Sequence, residues 1–457
     1  LHIVIIGNGV AGMEAALAIR RREPAAELTI VSEESDHFFS RTALMWVCSG
    51  QLNHRDIEPL ERDVYLRLAI RRVRARAIGL DVVAHQVQLA GGLPSIAYDR
   101  LLIACGSRPR AVPWEGAQHF GIGHFVTLQD LDWLARELYP TGLPDRPPRP
   151  DAHLSVSAED SPYRLREAAS TARGRVAQRP AVIGGGLVGI EAIEVMHAQK
   201  HKPHFFVREE WFWPMALDAR EARFITDRMQ AHGVNVHLNH EIEAFEGDAQ
   251  RHLTHVRTDR GRFEVDACVV AIGVVPNTGW LKGSAVELDR GGGILVKPNL
   301  ETSAPDVFAA GDCAAVRWFD GSVRPEQLWY TSRDQGRIAA RALLGDAVTY
   351  ARGTFYNSAK LMDIEYTTVG LVNMKLEGEA EWFFEEKTKV SSSIRIVTQG
   401  QRVIGLNLLG RRWDHSVLVR FIEERRSLAW VIEHLREAAF DTEFVPPLRI
   451  PREARGA

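Results

Sequence analysis

With 457 residues the chain is too long for one ordinary core, and two or three domains are expected. A hydrophobic fraction of 45% and a charged fraction of 25% exclude wholesale disorder, and a formal net charge of −3 gives no global attraction to nucleic acid or an anionic membrane. The apolar opening stretch carries Gly7, Gly9, Gly12 and Glu14, which suit neither a leader peptide nor an anchor, so a cytoplasmic protein without a membrane span is expected.

The first predicted unit is the strand His2–Ile6, the turn Gly7-Asn8-Gly9-Val10-Ala11-Gly12, a helix from Met13 to Arg22, and the strand Leu28–Ser32 ending at Glu33. Strand, glycine turn, helix and strand in succession build parallel sheets. In such a turn the first glycine permits the bend, the second lets backbone approach a pyrophosphate, and the third packs helix on strand. The pyrophosphate then lies at the positive end of the helix dipole. Glu33 is placed to accept hydrogen bonds from an adenosine ribose, with Glu34 and Asp36 as neighbouring alternatives. Next, arginines at 71, 72, 74 and 76 alternate with Val73, Ala75 and Ala77 as a half-exposed strand, polar face outward. Asp99 to Gly106 reads as a buried strand closed by Ala104-Cys105-Gly106, with Pro109 just beyond.

From about Tyr139 to Arg179 runs a segment holding Pro144, Pro147, Pro148 and Pro150, too long for a usual connection. It reads as a flexible insertion or a functional cover, with a short helix from Tyr163 to Ala172. The first plan then repeats. Ala181–Ile183 leads into Gly184-Gly185-Gly186-Leu187-Val188-Gly189, a helix from Ile190 to about Gln199, and the strand His204–Val207. Asp266 to Gly273, with Pro276 beyond, mirrors Asp99 to Gly106. Duplicated Rossmann-like domains explain the repetition. Val207 stands where a ribose-binding carboxylate is expected, and Arg208 follows. An arginine there can pair a 2′-phosphate, which tilts the coenzyme towards NADPH, while Glu209 and Glu210 could instead serve the 2′-hydroxyl of NADH.

A third signature is Thr302 to Asp312, where a short buried strand is expected to deliver Gly311 and Asp312 to the start of another helix. A carboxylate there can hold ribitol hydroxyls, and Gly311 allows close contact with a flavin chain. After about Thr349 the pattern becomes aromatic and β-branched alternation (364–371, 381–384, 392–397, 403–408), followed by a helical stretch from Ser416 to about Ala439.

Cys48, Cys105, Cys268 and Cys313 form no CxxC pair, so neither a zinc site nor a local redox disulfide is written here. Cys48 is either a displaced reactive thiol or a packed small hydrophobe. His197 and His201 are four apart on a predicted helix, with His204 on the next strand; they read as surface histidines rather than a metal site. Trp329, Tyr330, Phe355 and Tyr356 are either flavin neighbours or ordinary core aromatics.

In combination these motifs resemble the FAD-dependent pyridine nucleotide oxidoreductases, the two-dinucleotide-binding-domain flavoproteins, over residues 1 to about 345 outside 139–179. The resemblance implies an α/β architecture of two Rossmann-like domains and a C-terminal α+β interface-type domain. The FAD domain is discontinuous (1–125 and 285–348), the NAD(P)H domain covers 126–284 with the 139–179 insertion, and the last domain covers 349–457. It implies FAD held by Gly7, Gly9, Val10, Ala11, Gly12, Glu33, Arg41, Ala104, Cys105, Gly106, Arg108, Gly311 and Asp312. NAD(P)H is implied at Gly184, Gly186, Leu187, Val188, Gly189, Glu191, Arg208 and Gly273.

The branches of this family differ between Phe38 and Gly50. Disulfide reductases place a Cys-x4-Cys there, and the peroxidases and water-forming oxidases a single redox cysteine; here Phe39-Ser40-Arg41-Thr42-Ala43-Leu44-Met45-Trp46 contains none. The pattern is similar to rubredoxin and ferredoxin reductases and nitrite reductase large subunits. Arg41 matches their arginine near the FAD pyrophosphate, Cys105 takes the place of a threonine, and Trp46 replaces a frequent lysine. Glu191 matches their acidic residue after the second turn and is the one candidate catalytic side chain, although its flavin-tuning ion pair is put in doubt by Trp46. The implied function is hydride transfer from NAD(P)H to the flavin and onward electron transfer to an acceptor, foremost a redox-partner protein. An oxygen-using NAD(P)H oxidase, and a regulatory flavoprotein whose assembly depends on FAD reduction, are the competing readings. A homodimer and a complex subunit are both open arrangements.

Overall fold

The computed structural model describes residues 1–139, 176–318, 321–386 and 392–440, with 442, 443, 446, 448, 450 and 451 beyond them. The proline-bearing part of the insertion and the helix expected from Tyr163 to Ala172 lie outside the described residues.

The first sheet has five parallel strands in the order Val307–Ala309, Arg100–Ile103, His2–Ile6, Glu27–Ser32 and Ile70–Arg74. Its faces are covered on both sides, which is why its central strands are continuous apolar runs rather than alternating ones. On one face lie the helices Val10–Arg22 and Trp329–Leu343. Their backbones approach closely at Gly336, where a Cβ would stand 2.3 Å from the Ala11 carbonyl oxygen. On the other lies an antiparallel ribbon of Ala77–Asp81, Gln86–Leu89 and Ile96–Ala97. The arginine-rich edge strand turns inward more than alternation predicts. Arg74 is half-buried, donating to the carbonyls of Glu33 and Glu34 and to Asp36.

The second sheet repeats this order with Asn235–Leu238, His204–Val207, Pro180–Ile183, Ala267–Val270 and Ile122–Gly123, again all parallel. It too carries a three-stranded antiparallel ribbon, from Ile242 to Glu264. Its edge strand Ile122–Gly123 falls inside the range expected for the first unit, so the pairing carries the chain into the second unit before residue 125. The two units are tied immediately after their late strands, where Ser107–Pro109 pairs antiparallel with Val274–Pro276.

Both dinucleotide-turn helices begin three residues earlier than predicted, at Val10 rather than Met13 and at Leu187 rather than Ile190. The third signature also differs. Gly311 and Asp312 lead into another strand, Ala314–Arg317, and the helix Trp329–Leu343 follows only after a ribbon with Val323–Pro325.

The remaining chain forms a five-stranded antiparallel sheet ordered Tyr356–Leu361, Ile364–Gly370, Arg402–Leu409, Ser392–Gln399 and Glu379–Glu386. The helical stretch packed on it is two helices, His415–Glu423 and Leu428–His434. Arg425, with φ of 57°, closes the first, and Ser427 caps the second. Among the described residues no helix is long and apolar enough to cross a membrane.

Candidate active site

The two glycine turns are geometric twins. Gly7 and Gly184 have φ of 114° and 117°, and a Cβ on either would collide with the carbonyl oxygen of Ala104 or Ala271 at 2.1 and 2.3 Å. Gly12 and Gly189 are helical, and a Cβ there would stand 2.1 Å from the carbonyl oxygens of Gly7 and Gly184. The middle glycines differ in kind. A Cβ on Gly9 or Gly186 meets nothing within 4 Å, so the space above each turn is open. Gly9 and Gly186 are also the N-caps of their helices, and neither helix has a side-chain cap. Two open turns therefore face two uncapped helix N-termini, the donor set a pyrophosphate requires. Val10, Ala11, Leu187 and Val188 form the first helical turns. Gly106 and Gly273, with φ of 65° and 98°, end the paired loops and receive the amides of Asn277 and Arg110.

At the end of the second strand the three candidate carboxylates separate. Glu34 is engaged by both Arg41 Nη atoms, at 3.0 and 2.5 Å, and by the Leu128 amide at 3.1 Å. Asp36 accepts from Arg74 at 3.0 Å. Glu33 is exposed, and among the described residues no hydrogen bond or ion pair engages its carboxylate. A small cavity lined by Asn8, Ser32, Asp36, Arg72 and Arg74 adjoins this corner. Arg41, held by Glu34 and the Val126 carbonyl, feels the charge of Asp312. Arg108 is exposed on the crossing ribbon.

Asp312 is positioned by residues that sequence reading missed. Its Oδ2 accepts from Ser107 at 2.8 Å and its Oδ1 from Ser332 at 3.1 Å, while the Gly311 amide donates to Gln335 at 2.8 Å. Burial raises the Asp312 carboxyl, opposed by the two serine hydroxyls and Arg41. Ser107 was discoverable as the residue following the Ala104-Cys105-Gly106 turn. Ser332 and Gln335 are one helical turn apart on Trp329–Leu343 and carry no local signature.

In the second unit Arg208 is 70% exposed and already paired, 3.0 Å from Glu209 and 4.0 Å from Glu241. Glu191 lies one turn into the helix Leu187–Ala198. Burial pushes it up to about 7, and among the described residues it has no hydrogen-bond or ion-pair partner. Glu194, one turn further, is pushed up to about 8 by burial although the Met362 amide donates to it at 2.7 Å.

Cys48 is wholly buried and its thiol is pushed far up by desolvation, the state of a packed small hydrophobe. Cys313 is wholly buried and donates its thiol to the Ile103 and Ala310 carbonyls at 3.4 Å each, and Cys105 lies half-buried just after the strand that ends at Ile103. The three histidines diverge. His197 ends its helix against His232, His201 lies beyond the helix, and His204 stacks on His237. Trp329, Tyr330 and Tyr356 form a continuous ring contact that ends on His415, whereas Phe355 lies under Arg352.

The sequence profile of the family described as pyridine nucleotide-disulphide oxidoreductase matches residues 1–336. Among curated proteins, the chain is 27% identical over 349 residues to the biphenyl dioxygenase system ferredoxin–NAD(+) reductase component of Paraburkholderia xenovorans (strain LB400), covering 76% of this chain and 75% of that one. Among solved structures it is similar to the ferredoxin reductase for the CYP199A2 system from Rhodopseudomonas palustris, with a TM-score of 0.76, 20% identity and coverage of 96% and 100% of the two chains. The water-forming NADH oxidase from Lactobacillus brevis has the same TM-score and identity, with coverage of 99% and 94%. Equal likeness to a reductase and an oxidase shows the fold and leaves the acceptor to the site.

Proposed function

The chain belongs to the pyridine nucleotide-disulphide oxidoreductase family, and from that premise we propose an FAD-dependent NAD(P)H oxidoreductase that passes electrons to a redox-partner protein. The observation that carries this reading is the pair of twin open glycine turns, one beside Glu33, whose carboxyl is raised by desolvation against the charges of Arg76 and Arg74, and the Asp312–Ser107–Ser332 set, the other beside Arg208.

In this reading Gly7, Gly9, Gly12 and the first turn of Val10–Arg22 hold the FAD pyrophosphate, Glu33 the adenosine ribose, and Asp312 the ribitol chain. Ala104 to Gly106, Arg108, Gly311 and Arg41 complete that cradle. Gly184, Gly186, Gly189, Leu187, Val188 and Gly273 hold the nicotinamide dinucleotide, with Arg208 at its adenosine end. FAD, when bound, would supply the redox chemistry, hydride acceptance from a nicotinamide coenzyme. The protein aligns the two dinucleotides and excludes water; no side chain need remove a proton for the transfer. Glu191, one turn past the second pyrophosphate turn, is raised to about 7 and Glu194 beyond it to about 8, so the protonation of both changes near neutral pH.

The inert environment of Cys48 favours direct electron exit from the flavin over a thiol relay. The ferredoxin reductase relative supports an iron–sulfur protein as acceptor. Four free cysteines fit a reducing cytoplasmic compartment. The reading is tested by steady-state turnover of the FAD-loaded protein with a ferredoxin-type iron–sulfur protein, a quinone and oxygen, in the parent and in Cys48→Ala. Fast turnover with the iron–sulfur protein in both is expected. Turnover with oxygen alone favours the oxidase reading, and collapse in Cys48→Ala reinstates a thiol relay.

A further inference from the structure

The tip of the hairpin formed by Tyr356–Leu361 and Ile364–Gly370 reaches from the C-terminal sheet into the seam between the two dinucleotide units. Three neighbouring contacts hold it there. The Lys360 ammonium stands 5.7 Å from the ring centroid of Trp46, in the first unit. The Met362 amide donates to Glu194 in the second unit at 2.7 Å. Asp363 takes a two-pronged hydrogen bond from Arg228, with Nε to Oδ1 at 2.7 Å. The short helix Leu44–Cys48, which carries Trp46, packs on Leu187–Ala198, which carries Glu191 and Glu194.

The seam thus gathers two half-buried carboxylates near one aromatic face and one ammonium. Lys360 opposes the burial-driven rise of Glu194, whereas Glu191 and Asp363 add to it. An ammonium is drawn to the negative face of an indole ring, which gives this long, exposed side chain a preferred resting place. At the edge of a partly dry seam its charge acts over a longer range than it would in open water.

We propose that Lys360 is a positioning residue of the redox site: the C-terminal hairpin delivers it to Trp46 so that its positive charge faces Glu194, one helical turn from Glu191, where the two dinucleotide cradles meet. The inference rests on the proposed assignment of FAD and NAD(P)H to those cradles. Two-electron reduction adds negative charge to the flavin side of the seam, and a fixed cation favours it. The third unit is then part of the electron-transfer machinery as well as a packing partner.

The test uses the full chain loaded with FAD. Lys360→Met is expected to lower the midpoint potential of the bound flavin. It should also slow flavin reduction at saturating NAD(P)H by about tenfold, with the coenzyme Kd within about twofold of the parent. Lys360→Arg, which keeps the charge and the ring contact, should restore both potential and rate. A Lys360→Met protein with the parent's potential and rate overturns the inference, as does failure of Lys360→Arg to restore them. A parent that takes up no FAD overturns the functional reading and this inference with it. A flavin-loaded parent indifferent to Lys360 overturns the inference alone.

Discussion

Arg395 and Glu221 meet at 2.9 Å with neither side chain exposed, and they join the C-terminal sheet to the second dinucleotide unit. Glu221 belongs to the capping box of the helix Ala219–Ala231, accepting from the Asp218 amide at 3.0 Å, and the same oxygen receives Asn407 Nδ2 at 3.0 Å. Arg395 completes its set with the Val372 carbonyl, Asn373 and Glu381. The carboxylates around it hold the guanidinium charged despite burial.

Arg395→Met leaves Glu221 buried without its cation, which should cost about 3–5 kcal/mol. Thermal unfolding should show a lower Tm, and Arg395→Met combined with Glu221→Gln should recover part of the loss. An unchanged Tm in the single variant would remove this pair as the fastening between the units.

Glu191 supplies a pH dependence. Its carboxyl is raised to about 7 from an ordinary value near 4.5, so the folded chain holds a proton that the unfolded chain has released. The sign follows from that difference: stability is unaffected below the unfolded value, falls as pH rises between the two, and stays reduced above about 7. Glu191→Gln should therefore unfold at a higher temperature than the parent at pH 8 and match it at pH 4, by an amount on the order of 1–3 kcal/mol. The same variant should lose the inflection near pH 7 in the rate of flavin reduction while keeping any that Glu194 contributes near 8. A parent-like pH profile in both readouts contradicts the assignment.

In the proposed flavin cradle the carboxylates divide by partner. Asp312→Ala should weaken FAD binding about tenfold to a hundredfold, the range for charged hydrogen bonds. Glu33→Gln should weaken it too. Asp36→Asn should leave affinity within about twofold, since Arg74 already occupies that side chain. Flavin uptake by the apoprotein measures all three. Equal losses at Glu33 and Asp36 would mean that Glu33 is not the ribose acceptor.

After the strand His204–Val207, at the proposed adenosine end of the second turn, Arg208 is shared by two carboxylates. If Arg208 receives the 2′-phosphate as proposed, that phosphate must displace Glu209, so the expected advantage of NADPH is smaller than Arg208 alone implies. Arg208→Glu should hurt kcat/KM for NADPH far more than for NADH. Glu241→Gln should shift the ratio towards NADPH severalfold, most strongly at low ionic strength. Parallel changes with both coenzymes would place Arg208 outside the binding site.

Much of this was legible because glycines and buried strands impose local geometry. Gly7 and Gly184 must adopt positive φ, and the strands beside them are apolar throughout because parallel sheets are covered on both faces. The helix starts were misplaced for a related reason. Gly12 and Gly189 look like helix breakers in sequence, yet both are helical and lack a side chain to let the helix touch the preceding turn. The strand after Asp312 was read as a helix because its partner strands, Ile294–Leu295 and Val323–Pro325, are too short to announce themselves. Ser332, Gln335, Lys360 and Arg395 were not legible at all. Each acts on a residue far away in the chain, and only tertiary packing brings the partners together.

The most direct test of the central claim is anaerobic rapid mixing of the FAD-loaded protein with NADH and with NADPH, followed by a second mix with an oxidised ferredoxin-type iron–sulfur protein. The visible flavin absorption should bleach on the first mix and return on the second, as fast in Cys48→Ala as in the parent. A chain that takes up no FAD, or a bound flavin that neither coenzyme bleaches, would contradict the account.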